Sequence, residues 1–329
     1  MTKLERIIAT RKPMAFLLRK SQHWHLPGFE GVPLYDVFKF FYRQLKTTNM
    51  TERASAIAYN FIMSIPPSFL FLFTFIPNLP FVKMREIQRQ LNFLIRDIIP
   101  AEAYNKEIIS FIDKTFFKAP VIGLLSFGLL LALFFASNAM IGIMRSFNKN
   151  YMGFEKRRGL ENRWIAIRLT MLIFALVFSC LVLLITQGVV LKWMGVKSLW
   201  VRDLIFYVRW IFIILLIFYS IAFIYKYAPA VQKRWKLVSP GSILATLLCI
   251  AASLAFSSFV NNFARYNALY GAIGTIIVLM ALVYINSLAL LIGFELNVSI
   301  KSLKSIADTR LAKEKAEAGS NTQAAGQPG

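Results

Sequence analysis

Two adjacent prolines, Pro66 and Pro67, stand in the middle of a long apolar run and raise the first chemical question. A proline has no N–H, and its ring obstructs the carbonyl four residues back, so Ile62 and Met63 each lose a helical partner. In hydrocarbon those carbonyls need another donor, from a neighbouring helix, a water or a ligand. Asn60 and Ser64 share a helical face with Ala56 and Pro67, which lines the expected break with an amide and a hydroxyl. A broken helix on a substrate path answers this pattern, as in many transporters. So does a kink closed by Asn60 and Ser64 themselves, and the residues leave both readings open.

Ionisable groups beside apolar runs are the next signal. Arg145, Arg168, Lys226 and Glu295 fall at the ends of four such runs, all expected on one side of a membrane. The basic stretch Lys156, Arg157 and Arg158 adds to that layer. One carboxylate among several cations suits an ion-pair latch that orients helix ends; the second reading is part of an anionic headgroup site. Arg209 lies just inside the opposite end of its run, where snorkelling beside Trp200 and Tyr207 competes with a place on a substrate path. Asn138 is a further path candidate, although Asn138, Gln187 and Asn286 are also the residue type that joins helices.

Other chemistry finds no residues to carry it. The histidines His23 and His25 have no neighbouring carboxylate cluster that would make a metal site. HExxH, GxSxG, CxxC and Walker patterns do not occur. Cys180 and Cys249 sit in apolar runs without a partner at metal or redox spacing. No catalytic residue, metal or cofactor is therefore expected. A metal-dependent nuclease would need clustered acids or histidines, which are missing.

These residues need elements to position them, and composition says which. Of 329 residues, 57% are hydrophobic and 16% charged, against roughly 25% charged in a soluble domain. The apolar residues gather in runs of about 20, enough to cross roughly 30 Å of hydrocarbon. Six such runs are read as spans: 54–76, 121–144, 165–191, 204–225, 241–260 and 271–294. Lys and Arg total 38 against 16 Asp and Glu, a net charge of +22. In a soluble protein that charge would suggest nucleic acid; in a membrane protein it marks cytoplasmic loops and attraction to anionic lipid. Alternate connections divide the basic residues 25 to 11, which puts both termini in the cytoplasm.

The expected organisation is thus an all-α bundle of six transmembrane helices. Residues 1–53 form a cytoplasmic N-terminal segment, 54–297 the membrane domain and 298–329 a partly disordered cytoplasmic tail. In the N-terminal segment Leu34, Val37, Phe38, Phe41 and Leu45 oppose Lys39, Arg43 and Lys46, the pattern of an amphipathic helix on the membrane surface. Asn49 with Glu52 resembles a capping box at the start of the first span. Between spans one and two, Met84, Ile87, Leu91, Leu94 and Ile98, then Tyr104, Ile108, Ile112 and Phe116, predict an extracytoplasmic helical hairpin over 83–118. Gly128, Ala132, Ala136 and Ala139 predict close helix packing, as do Gly271 and Gly274. A cleavable signal peptide is not expected, since the first apolar run starts only after about fifty residues.

The chain resembles the YihY/virulence factor BrkB family of bacterial inner-membrane proteins, historically mislabelled ribonuclease BN. The resemblance is carried in order by Ala54-Ser55-Ala56-Ile57-Ala58-Tyr59, Ser64-Ile65-Pro66-Pro67, Ala136-Ser137-Asn138, Asn148 and Phe154-Glu155-Lys156-Arg157-Arg158. It continues with Tyr225-Lys226-Tyr227-Ala228-Pro229, Trp235, Ser239-Pro240-Gly241, Tyr266-Asn267, Tyr270-Gly271-Ala272-Ile273-Gly274 and Gly293-Phe294-Glu295-Leu296-Asn297. It covers roughly residues 35 to 305. One departure is Phe294, where the family usually has a small residue. The resemblance implies a six-span, multi-pass inner-membrane protein linked to serum resistance and envelope lipid traffic, and it supplies no established activity.

The expected function is movement or binding of an amphipathic anionic substrate such as a lipid, without ATP hydrolysis. The rival is a non-transporting envelope scaffold that binds lipids or partner proteins, and a membrane-bound ribonuclease ranks third. Membrane lipids, anionic ones first, are the expected partners. Nucleic acid is not, and self-association is compatible with the sequence.

Overall fold

The computed structural model describes residues 27–75, 88–89, 92, 109–110, 127–148, 154, 157, 159–193, 199–231, 234–262 and 264–325. In chain order the helices are α1 Leu34–Thr47, α2 Met50–Phe75, α3 Phe127–Ala136 and α4 Asn138–Phe147, then α5 Gly159–Trp193, α6 Leu199–Tyr227, α7 Pro240–Asn262 and α8 Ala264–Ala325. Phe154 and Val231 add an isolated antiparallel bridge. Among the described residues five stretches are long and apolar enough to cross a membrane: Leu130–Phe147, Gly159–Cys180, Trp210–Tyr227, Pro240–Ser258 and Ile277–Glu314. They correspond to expected spans two to six. The expected first span is α2, a helix of 26 residues that is not among the five. The predicted hairpin over 83–118 lies outside the described residues, apart from helical positions at 88–89, 92 and 109–110.

The helix expected as the first span is not broken. α2 continues from Met50 to Phe75 with Pro66 and Pro67 inside it. The Ser64 hydroxyl donates to the Phe61 carbonyl at 2.7 Å, and Ser68 donates to the Ser64 carbonyl at 2.6 Å. These are local back-bonds of the kind that bend helices, and they do not reach the Ile62 and Met63 carbonyls. At the helix start, the Asn49 amide donates to Glu52 Oε2 at 3.0 Å, a side-chain contact where the expected capping box would bond side chain to backbone. The interruption lies one span later, at Ser137 between α3 and α4. Ser137 N–H still donates to the Leu133 carbonyl and Ile141 N–H to that of Ser137. The Phe134 carbonyl instead accepts the Ser137 hydroxyl at 2.7 Å.

The structure forms two compact units, one from Met1–Ala56, Ser146–Lys156 and Pro229–Gly329, the other from Ile57–Arg145 and Arg157–Ala228. In the first, α7 packs tightly on α8 because Gly241 has no side chain. A Cβ there would overlap the Gly293 carbonyl oxygen. Asn297 fills the gap: its Oδ1 accepts Gly241 N–H and its Nδ2 donates to Ser239 Oγ, both at 2.9 Å. Phe294 is buried between Phe147, stacked at 3.9 Å, and Trp235 at 5.4 Å, with Phe154 edge-on at 6.5 Å. Asn148 Oδ1 accepts the Ala230 N–H at 2.8 Å.

The amphipathic helix is placed differently from its expected pose. Val37 and Phe41 of α1 are buried with Phe29, Leu296 and Ile300, so the centre of its apolar stripe packs on α8. Phe38 and Tyr42 remain exposed. The tail also differs, because α8 continues as helix past Asp308 to Ala325. Its run of Lys, Glu and Ala favours helix once the preceding turns supply a nucleus.

In the second unit the small-residue ridge packs as predicted, with Ala132, Ala136 and Ala139 buried. Gly142 lets α4 approach α2: a Cβ there would come within 2.7 Å of the Asn60 Cβ. Phe71 stacks on Phe174 with centroids 5.1 Å apart.

Candidate functional site

Glu295 lies on α8 with none of its side chain exposed, paired with Arg53 at 4% exposure. Such a pair joins α2 to α8 and offers no surface to a headgroup. Arg53 also donates to the Ser146 carbonyl through Nε at 2.9 Å and Nη2 at 2.6 Å. Two donors on one carbonyl and a third on a carboxylate use the fork of the guanidinium, which a lysine cannot copy. Arg53 was not among the sequence candidates. The available signal was its position as the last cation before an apolar run.

In the second unit, Arg163 from the first turn of α5 reaches the interruption in the expected second span. Its Nη1 donates to Asn138 Oδ1 at 2.7 Å and its Nη2 to the Phe134 carbonyl. Its Cζ sits 3.4 Å from the Phe134 ring centroid. The guanidinium thus occupies the carbonyl that the interruption frees and also lies on an aromatic face. Arg163 too was missed, hidden within a run of loop cations. Its buried Nε and the buried Asn162 Oδ1 have no hydrogen-bond partner among the described residues.

The remaining predicted cations of this unit are set around aromatic groups or backbone. Arg168 lies over Trp164 at 5.2 Å and Lys226 over Tyr227 at 5.4 Å. Arg157 donates to the Ala228 carbonyl at 3.3 Å. Arg145 is exposed at the end of α4, close enough to Arg163 for the two charges to repel. No salt bridge joins Arg145, Arg163, Arg168 or Lys226 to a carboxylate among the described residues. Lys156, Arg158, His23 and His25 lie outside the described residues, as does the side chain of Arg209.

Among the path candidates, Ser64 is buried and bonded to its own helix, and Asn60 abuts Gly142. Asn138 accepts a hydrogen bond from an ionisable group, Arg163. Asn286 joins α7 to α8 through Ser253 at 3.3 Å. Among the described residues no three His, Cys, Asp or Glu side chains gather as metal ligands.

Five helices long and apolar enough to cross a membrane among the described residues define a multi-pass α-helical membrane protein. The family model "Virulence factor BrkB" matches residues 41–319, and the chain belongs to that family. A Bacillus subtilis protein named "Putative ribonuclease-like protein YfkH" is 31% identical over 263 residues, covering 78% of this chain and 92% of the relative. A "UPF0761 membrane protein" of Tolumonas auensis is 25% identical over 302 residues, 88% of this chain and 94% of that one. No solved structure matches.

Proposed function

We propose that the chain binds anionic lipid at the cytoplasmic side of the bacterial inner membrane and moves it between leaflets without ATP. In this reading α2 is the first of six spans and both termini are cytoplasmic. The observation that carries the proposal is the set Arg145, Arg163, Arg168 and Lys226, which have no carboxylate partner among the described residues. Glu295, the acid that the sequence reading set in that layer, is paired with Arg53. Uncompensated cations at a membrane surface attract lipid phosphates, by about 1 kcal/mol each, screened by salt. The interruption at Ser137, with Asn138 and Arg163 bound to it, supports movement as well as binding, since interrupted helices supply polar groups at membrane depth.

The scaffold reading draws on the dry packing around Phe294 and Glu295, which is a solid core and not a path. A nuclease is not proposed, because the described residues bring no metal-ligand cluster together. Purified protein in vesicles of phosphatidylglycerol and phosphatidylcholine, with a trace of headgroup-labelled phosphatidylglycerol, tests the proposal. Quenching of the outer leaflet by a membrane-impermeant reductant should reach both leaflets, and Arg163→Ala should slow it. Protection of the inner leaflet equal to that of empty vesicles would establish the scaffold reading in its place.

A further inference from the structure

Ahead of α1 the chain makes a short strap, residues 27–33, with an unusual backbone. Gly28 has φ +93°, Gly31 has φ +82°, and Glu30 between them has φ +53°. Glycine adopts this region freely, but a residue with a Cβ does so only where its surroundings hold it there. Two contacts hold Glu30. Phe29 is buried among Val37, Phe41, Leu296 and Ile300. The Glu30 carboxylate pairs with Lys301 through Oε1, and with Lys304 through Oε2 at 3.4 Å.

A cavity of about 40 Å³ opens beside this pair. Lys236, Ser239 and Asn297 line it together with Lys301, over an apolar floor of Trp235 and Ile300. Lys236 is exposed, and no salt bridge joins it to a carboxylate among the described residues. One carboxylate therefore serves a site bordered by Lys236, Lys301 and Lys304. Hydroxyl and amide groups beside cations, over an aromatic floor, are what an oxyanion on an amphipathic molecule requires. The remaining space admits water-sized groups, because the chain's own carboxylate occupies the cationic end.

We propose that this cavity is a binding site for a phosphate group, borne by a lipid headgroup or free in solution, and that Glu30 is its built-in competitor. When the ligand's oxyanion takes Lys301 and Lys304, Glu30 leaves and its left-handed backbone relaxes, which lowers the cost of release. The proposal shares only its ligand class with the lipid-movement reading, since the site lies in the other compact unit.

Isothermal titration of the purified full chain in neutral detergent tests it, with sodium phosphate and the soluble lipid dihexanoyl phosphatidic acid as probes. Glu30→Gln, which keeps shape but removes the competing charge, should tighten binding about tenfold by freeing the competent state. Lys236→Gln, an exposed change that removes neither of the strap's own ion pairs, should weaken binding about fivefold, the worth of one cation beside an anion. Equal binding of both probes identifies free phosphate as sufficient; binding of the lipid alone identifies the headgroup. Unchanged affinity in both variants, or no binding of either probe to wild type and Glu30→Gln, would overturn the proposal. Movement between leaflets is not read here, so failure of that reading leaves this result standing.

Discussion

Arg53 and Glu295 are 242 residues apart in sequence and meet in a buried ion pair, with Arg53 also holding the Ser146 carbonyl. The contact joins the start of α2, the end of α4 and the middle of α8 within one compact unit. Two charges out of water gain little over well-packed apolar residues, but one of them left alone is costly.

Arg53→Ala or Glu295→Leu should therefore each destabilise the protein by about 3–5 kcal/mol. The double variant Arg53→Met with Glu295→Leu should recover much of that loss. Thermal unfolding in detergent, followed by circular dichroism, compares all three. A double variant no more stable than the singles would show that the pair is not a self-contained unit.

The close approach of α7 and α8 gives a second expectation. Gly241→Ala places a methyl group on the Gly293 carbonyl and on Asn297, and overpacking of this kind costs about 1–3 kcal/mol. Gly159→Ala, where nothing lies within 4 Å, is the control and should be neutral or stabilising in its helix. Melting temperatures that fall equally in both variants would contradict the packing.

Much of this was legible in the sequence, and the failures share a cause. Apolar runs report helix existence well, so spans two to six were visible. The quoted motifs proved to be packing devices: Asn148 ties Ala230, Ser239 and Asn297 clasp Gly241, and Glu295 takes Arg53. What periodicity could not show was which surface an apolar stripe meets, so Val37 and Phe41 were read as facing lipid when they face Leu296 and Ile300. Nor could it show that α2 tolerates Pro66 and Pro67 while the interruption falls at Ser137, because that depends on Arg163, a distant residue in sequence. Partner choice among many similar cations is set by tertiary geometry, which is why Arg53 and Arg163 were overlooked.

The contact between Asn60 and Gly142 changes what substitutions in the first span should do. Asn60→Leu puts a branched side chain against a glycine that leaves no room for one, so it should lower thermal stability. Lipid movement should fall only in proportion to folded protein. Loss of movement at unchanged stability would return Asn60 to the substrate path.

Topology follows from the distribution of basic residues. Cysteine placed at Lys313 should be labelled by an impermeant reagent only after cell lysis, and cysteine at Glu102 should be labelled in intact cells with a permeable outer membrane. Labelling of Lys313→Cys in intact cells would invert the protein.

The last prediction concerns pH and the strap. Partial burial of Glu30 on its own would push its carboxyl up, but the hydrogen bond and charge of Lys301, with Lys304 behind them, outweigh burial and hold it below its ordinary 4.5. A carboxylate whose folded value is depressed contributes stability above its unfolded value and loses it as pH falls through the folded one. The groups facing Glu30 are lysines, which stay charged throughout that range. Docking of residues 27–33 should therefore be constant from neutral pH down to about 4.5 and weaken below it. Hydrogen exchange, corrected for the intrinsic pH dependence, should show protection of the Val32 amide, which donates to the Phe29 carbonyl at 3.0 Å, declining only in the acid range. In Glu30→Gln that acid-range decline should disappear, because no carboxylate remains to be protonated. A decline of the same size in both proteins would assign the pH response to another group and remove the ion pairs as the strap's anchor.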